Sequence, residues 1–221
     1  MKKAIDSIAE GNRIAFLLAS IVLLILTYPF SETGTVAALL FVVLYLGLTG
    51  SSIYMVSHDR PLLIASVLIA VVIAVTGSIT IASEFTAPLW IQLSWNAAVL
   101  AQLVLILALL VLFIIESEQV TLEVLYASIA IYFIMAALFT VFYIVIESFA
   151  PGAFNSSSGA EITWQRLTYF SLVTISTLGY GDIVPVAPAA QSLSAMEASL
   201  GTLYIAILIG RFVSLYQNET A

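Results

Sequence analysis

Residues 174–182 read Thr174-Ile175-Ser176-Thr177-Leu178-Gly179-Tyr180-Gly181-Asp182, and what flanks them decides the fold. Before them, Thr163 to Ser176 has the pattern of a short helix, about 20 Å long at about 1.5 Å per residue. That is too short to cross a hydrocarbon core of about 30 Å. On either side lie Val124–Ile146 and Leu193–Tyr216, each of the length and apolarity a membrane-crossing helix needs. The segment between them must therefore dip into the membrane and return to the same face. Irregular backbone at that depth is tolerated only where protein surrounds it or where it lines a water-filled cavity. The stretch thus demands an aqueous pathway.

Working outward, four further apolar stretches precede this pair: Ile14–Phe30, Val36–Val56, Pro61–Ala82 and Pro88–Ile115. The 221 residues are 62% hydrophobic and 9% charged, against about 45–50% and about 25% in a soluble domain. With a mean hydropathy of +1.14, the chain belongs in lipid. Alternating ten-residue strands, the mark of a membrane barrel, are absent. The expected fold is an all-α membrane protein: six transmembrane helices, a re-entrant pore helix and a loop. Lys2, Lys3, Arg13, Arg60 and Arg211 fall on one side of a six-span topology and Arg166 alone on the other. Both termini are therefore expected in the cytoplasm. The first stretch follows basic residues as a secretory leader would. Yet Tyr28-Pro29-Phe30-Ser31-Glu32 holds no small-residue cleavage site, so it reads as a span.

Several function classes fall away. With no cysteine there is no disulfide and no thiolate chemistry. A net charge of −7 is unsuited to nucleic acid. The single histidine, His58, has no companion at metal-ligand spacing, and no catalytic set is evident, so an enzyme is not expected.

Thr177 to Asp182 resembles the signature of the potassium channel family, Thr-Val-Gly-Tyr-Gly followed by Asp, with Leu178 in place of Val. The resemblance implies a homotetramer in which four such loops build one selectivity filter. Carbonyls of Thr177, Leu178, Gly179 and Tyr180 would replace the hydration shell of K+, and the Thr177 hydroxyl would close the inner end. Successive carbonyls face one way only if the backbone alternates in handedness, which glycine permits at Gly179 and Gly181. It further implies that Tyr180 wedges against Tyr169 and Phe170, and that the Tyr169 hydroxyl braces Asp182. Val173 stands where some members carry a glutamate, so a carboxyl pair behind the filter is not expected. In the last span Gly201 matches the family's inner-helix hinge, or it is a small residue for close helix packing; both readings stand. Helical spacing places Thr202, Ile205 and Ile209 toward an apolar cavity, with Gly210 and Ser214 where helices converge. Glu197 is expected to support the filter by bonding the back of the pore helix near Trp164 or Thr168. Arg211 is expected to snorkel to the cytoplasmic surface.

The expected organisation is a cytoplasmic arm (1–13), a four-helix unit (14–115), a short cytoplasmic linker (116–123), a pore domain (124–216) and a tail (217–221). The layout resembles the voltage-gated one, but Pro88–Ile115 contains no Lys or Arg, so little or no voltage dependence is expected. The short linker predicts that each four-helix unit packs on its own subunit's pore. Gln92, Asn96 and Gln102 read as bonds between helices rather than a ligand crevice. His58-Asp59-Arg60 reads as a solvated turn and Ala150–Gly159 as a loop. Glu32, Glu84, Glu147, Glu161 and Asp182 face Arg166 alone on the outer side, a charge that concentrates cations at the entrance. The Asn155-Ser156-Ser157 sequon matters only on a eukaryotic secretory route. The sequence is therefore read as a passive potassium-selective channel in a prokaryotic plasma membrane. Its partners are lipid, K+ and three further copies, and it needs no cofactor beyond the permeant ion. A non-selective cation channel, a potassium transporter and a non-conducting accessory or receptor subunit are the alternatives, which ion flux separates. The gating stimulus is not legible.

Overall fold

The computed structural model describes residues 12–32, 35–83 and 87–219. Lys2, Lys3, Glu84 and the side chain of Glu32 lie outside what is described. Among the described residues seven helices and two short strands follow in order: α1 Arg13–Thr27, a 3-10 turn Tyr28–Glu32, α2 Thr35–Met55, α3 Arg60–Ala82, α4 Leu89–Glu116, α5 Leu122–Phe149, β1 Phe154–Ser156, α6 Trp164–Ile175, β2 Ile183–Pro185 and α7 Pro188–Glu219. Among the described residues, α1, α3, α4, α5 and α7 are long and apolar enough to cross a membrane. Helix α2 has 21 residues, and its stretch Val42–Met55 is apolar. The chain is an all-α, multi-pass membrane protein.

Contacts divide the chain into two compact units, Met1–Ser117 with Thr121–Ile131, and Glu118–Val120 with Tyr132–Ala221. The opening turns of α5 thus go with the first unit.

In the first unit α1 packs on α2 and α3 on α4. The buried residues Ile14, Leu17, Ile21 and Leu24 recur every three or four positions of α1, one stripe of a 3.6-residue helix. Helix α3 buries Ser66, Ile73 and Thr80 and exposes Leu68, Val71, Val72, Val75 and Ile79, the pattern of a helix with one protein face and one lipid face. Gly77 admits the Trp95 indole, whose Nε1 would lie 3.2 Å from a Cβ at that position. One of the polar side chains expected to bond between helices, Gln102, ties three helices of this unit together. Gln102 Nε2 donates to Ser52 Oγ of α2 and, at 3.4 Å, to Ser66 Oγ of α3. The bonds seen at the other two expected positions are local ones of α4: Gln92 donates to Ala87 O at 2.7 Å and Asn96 to Gln92 O at 3.0 Å. A hollow away from these residues is lined by Asn12, Phe16, Gly47, Gly50, Ser51 and Tyr54.

The turn between α2 and α3 is solvent-facing at His58 and Arg60, as expected, and it also carries specific bonds. Arg13, only 5% exposed, stacks 4.4 Å from the Tyr54 ring centroid. Both its terminal nitrogens donate to His58 Nδ1 at 3.3 Å. Asp59 Oδ1 accepts from Leu62 N–H at 3.3 Å and so caps the start of α3. Desolvation of Arg13 drives this: a buried guanidinium needs acceptors and an aromatic face.

The second unit is built on an aromatic core. Tyr143 of α5, Phe154 of β1 and Phe170 of α6 meet edge to face with centroids 5.2–5.3 Å apart, the arrangement that ring quadrupoles favour. Phe139, Leu167, Ile183 and Ala190 complete it. The expected loop after α5 contains strand β1, which pairs antiparallel with β2 in the register Phe154↔Pro185, Asn155↔Val184, Ser156↔Ile183. Glu147 organises the turn before it, accepting from Gly152 N–H at 2.7 Å and Phe154 N–H at 3.2 Å. Three-residue strands whose partners lie far along the chain leave no local sequence signal.

Candidate functional site

Helix α6 starts at an N-cap, Thr163, whose side chain accepts from Arg166 N–H, at 3.5 Å. Its other end positions the loop. Thr177 N–H donates to Thr174 O at 2.9 Å and Leu178 N–H to Val173 O at 3.0 Å. With Ser176 as the C-cap, these are the paired bonds of a Schellman motif, which requires a left-handed residue just past the cap. That residue is Thr177, at φ +56°. Glycine ordinarily takes this place, and a β-branched residue with positive φ is an outlier held by its surroundings.

The handedness then alternates. Gly179 has φ +55° and Gly181 φ +76°, while Leu178 and Tyr180 between them are not left-handed. Sequence reasoning placed this alternation on the two glycines and missed Thr177; a helix stop with no glycine or asparagine was the available signal. Gly179 N–H also reaches Val173 O at 3.4 Å. At the far end Asp182 O accepts from Ser157 N–H at 2.8 Å, and β2 follows directly. The strand is thus fastened below by the helix end and above by the β1–β2 ladder. Between these points no donor among the described residues reaches the carbonyls of Thr177, Leu178, Gly179 or Tyr180. Leu178 is 55% and Tyr180 66% exposed in the single chain. A row of unpaired carbonyls at membrane depth is costly unless something else fills their lone pairs.

Support for this strand comes from three helices. Glu197 of α7 is fully buried. Its Oε2 accepts from the Tyr143 hydroxyl of α5 at 2.5 Å, and its Oε1 lies 2.5 Å from Ser171 Oγ of α6. The expected bond to the back of the pore helix is therefore made, but to Ser171 and not to Trp164 or Thr168. The Thr168 hydroxyl donates to Trp164 O at 2.9 Å. Depth along α7 was readable from the sequence; which residue stands opposite depends on how the helices cross. Tyr143 was missed, although a tyrosine in an aliphatic span signals a hydroxyl needing a partner.

Phe170 is turned into the aromatic core, toward Tyr143 and Phe154, rather than against Tyr180 as expected. Tyr169 packs at the edge of the same core. Gly201 has a plain packing reason: a Cβ there would sit 2.2 Å from Ile175 O, and α7 runs as one helix through this point. Thr202, Ile205 and Ile209 are exposed in the single chain; the Thr202 hydroxyl donates to Ala198 O at 3.1 Å. Gly210 meets open space. No cluster of three or more His, Asp or Glu able to hold a metal occurs among the described residues.

Residues 142–218, the segment that contains this whole arrangement, match the family model described as "Ion channel". The chain is 41% identical over 64 residues to two pore potassium channel c of Oryza sativa subsp. japonica, covering 29% of this chain and 14% of that protein. It is 30% identical over 95 residues to the inward rectifier potassium channel Kirbac3.1 of Paramagnetospirillum magnetotacticum, covering 41% of this chain and 29% of the relative. Similarity to the potassium voltage-gated channel protein shk-1 of Caenorhabditis elegans is 38% over 55 residues, covering 23% of this chain and 10% of that one. The chain thus spans less than a third of the length of these relatives. No solved structure matches it. Residues 142–218 are thus similar to ion channels, potassium channels among them.

Proposed function

We propose that this chain is one subunit of a homotetrameric channel that passes K+ selectively and passively across a membrane. The observation that carries the reading is the strand 177–181, with left-handed backbone at every second residue and carbonyls of Thr177 to Tyr180 that no donor among the described residues reaches. Alternating handedness turns successive carbonyls toward one side, and four such strands around an axis make stacked cages of oxygens that replace an ion's water. Thr177, Leu178, Gly179 and Tyr180 supply those carbonyls, the Thr177 hydroxyl closes the inner end, and Gly181 ends the strand. The apolar faces of α7 and the exposed Leu178 and Tyr180 would then be covered by neighbouring copies. Thr202, Ile205 and Ile209 line the cavity below, and a Tyr169–Asp182 brace holds the outer end. The first four helices act as a voltage-insensitive unit. The termini face the cytoplasm of a prokaryotic cell.

The test is cation flux from liposomes holding the purified protein, with Gly179→Ala as the control. K+ flux well above Na+ flux, abolished by the substitution, is expected. Equal flux of the two ions would replace this reading with a non-selective channel. Absence of flux at every voltage and pH would replace it with an accessory subunit.

A further inference from the structure

Two of the places where helix α7 meets the pore helix have matched spacing. Glu197 stands at Ser171, and Gly201 stands at Ile175. The two residues are four apart on each helix, one turn, so the contacts stack along one seam. The seam ends at Ile175, immediately before the Schellman turn that launches the filter strand. Any rotation of α6 against α7 would therefore be felt first at Thr177.

Proton accounting at the upper contact is restrictive. Ser171 Oγ lies 2.7 Å from Ala136 O of α5 and 2.5 Å from Glu197 Oε1. A carbonyl can only accept, and a serine has one proton to give. If that proton goes to Ala136 O, the contact with Glu197 needs a proton from the carboxyl itself. Tyr143 then donates to the second carboxyl oxygen. This arrangement gives each of three protons one acceptor and leaves no charge buried at the pore helix.

From this geometry, and resting on the channel reading above, we infer that Glu197 is a positioning residue for conduction. Its carboxyl donates to Ser171 and accepts from Tyr143, fastening the pore helix to the inner and outer helices and holding the filter in its conducting geometry. A glutamine can make the same pair of bonds, with Nε2 donating to Ser171 and Oε1 accepting from Tyr143. An alanine can make neither.

The experiment compares Glu197→Gln, Glu197→Ala and the milder Ser171→Ala with the parent protein, all as the full chain. Two readouts are taken: the K+/Na+ flux ratio in liposomes, and hydrogen exchange of the filter amides in detergent, Leu178 and Gly179 among them. Glu197→Gln is expected to keep both near the parent values. Glu197→Ala and Ser171→Ala are expected to lower the flux ratio and to speed filter exchange about tenfold, the consequence of an unmatched buried polar contact. A merely structural role would change the yield of folded protein without moving the flux ratio or the filter exchange of what folds. Filter exchange unchanged in both alanine variants, or a Glu197→Gln variant that behaves like Glu197→Ala, would overturn the inference. A parent protein without K+ selectivity would sink the channel reading instead, while the exchange comparison still decides the role of Glu197.

Discussion

At the residue scale, Thr177 carries two demands that conflict. The end of α6 needs a left-handed residue there, which glycine meets at least cost, while the proposed inner ion site needs a hydroxyl. The chain keeps threonine at φ +56° and accepts about 1–2 kcal/mol of backbone strain per copy. Thr177→Gly should therefore move stability and selectivity in opposite directions. Thermal unfolding in detergent should show no loss, or a gain up to about 1 kcal/mol per chain once the greater freedom of the unfolded glycine is subtracted. The K+/Na+ flux ratio should fall. A parallel fall of both would mean that the hydroxyl, and not the backbone, holds the turn. Most of this residue's chemistry was legible in the sequence, because the motif 177–182 is contiguous. Its strain was not, since φ at a helix end follows from the bonds the end makes.

At the element scale, the second unit is held by aromatic packing and the first by polar ties, and the two should respond differently. Phe154 is 2% exposed, between Tyr143 and Phe170. Phe154→Ala should lower the stability of the folded protein by about 3–5 kcal/mol, read as a lower midpoint of thermal unfolding, and should loosen the β1–β2 ladder at the same time. Gln102 is as deeply placed, but its amide oxygen has no partner, so part of the desolvation cost is already incurred. Gln102→Met should cost less than about 1 kcal/mol by the same measurement, in keeping with the modest worth of side-chain hydrogen bonds between membrane helices. A large loss on removing Gln102 would show that the Ser52–Gln102–Ser66 tie fixes the fold of the first unit. The helices themselves were readable to within a few residues from apolar run length. The strands were not, because Asn155-Ser156-Ser157 has the composition of a loop and acquires its pairing only from Ile183–Pro185.

At the scale of the whole molecule, the charge distribution sets the expected gating. Moving one elementary charge through the membrane field is worth about 2.3 kcal/mol per 100 mV, and α4, Leu89–Glu116, holds no Lys or Arg. In planar bilayers the K+ conductance at a fixed gradient should stay within about twofold between about −100 and +100 mV. A steep dependence would require gating charge from elsewhere, such as the buried Arg13 of α1.

The amino-acid sequence by itself determined the membrane class, the long apolar helices, the short helix before the 177–182 motif and the left-handed positions of its two glycines. Each of these is written in a local pattern: the length of an apolar run, the brevity of a helix, or the stereochemistry that neighbouring residues allow. The tertiary structure alone decided that Glu197 meets Ser171 and Tyr143, that Gly201 is needed where α7 passes the end of the pore helix, and that Phe170 faces the core. It also decided that Arg13 closes on His58 and that β1 finds β2. Each of these pairs residues far apart in the chain, and their meeting is set by how helices cross and which side chains interlock there, a property of packed surfaces rather than of any one segment.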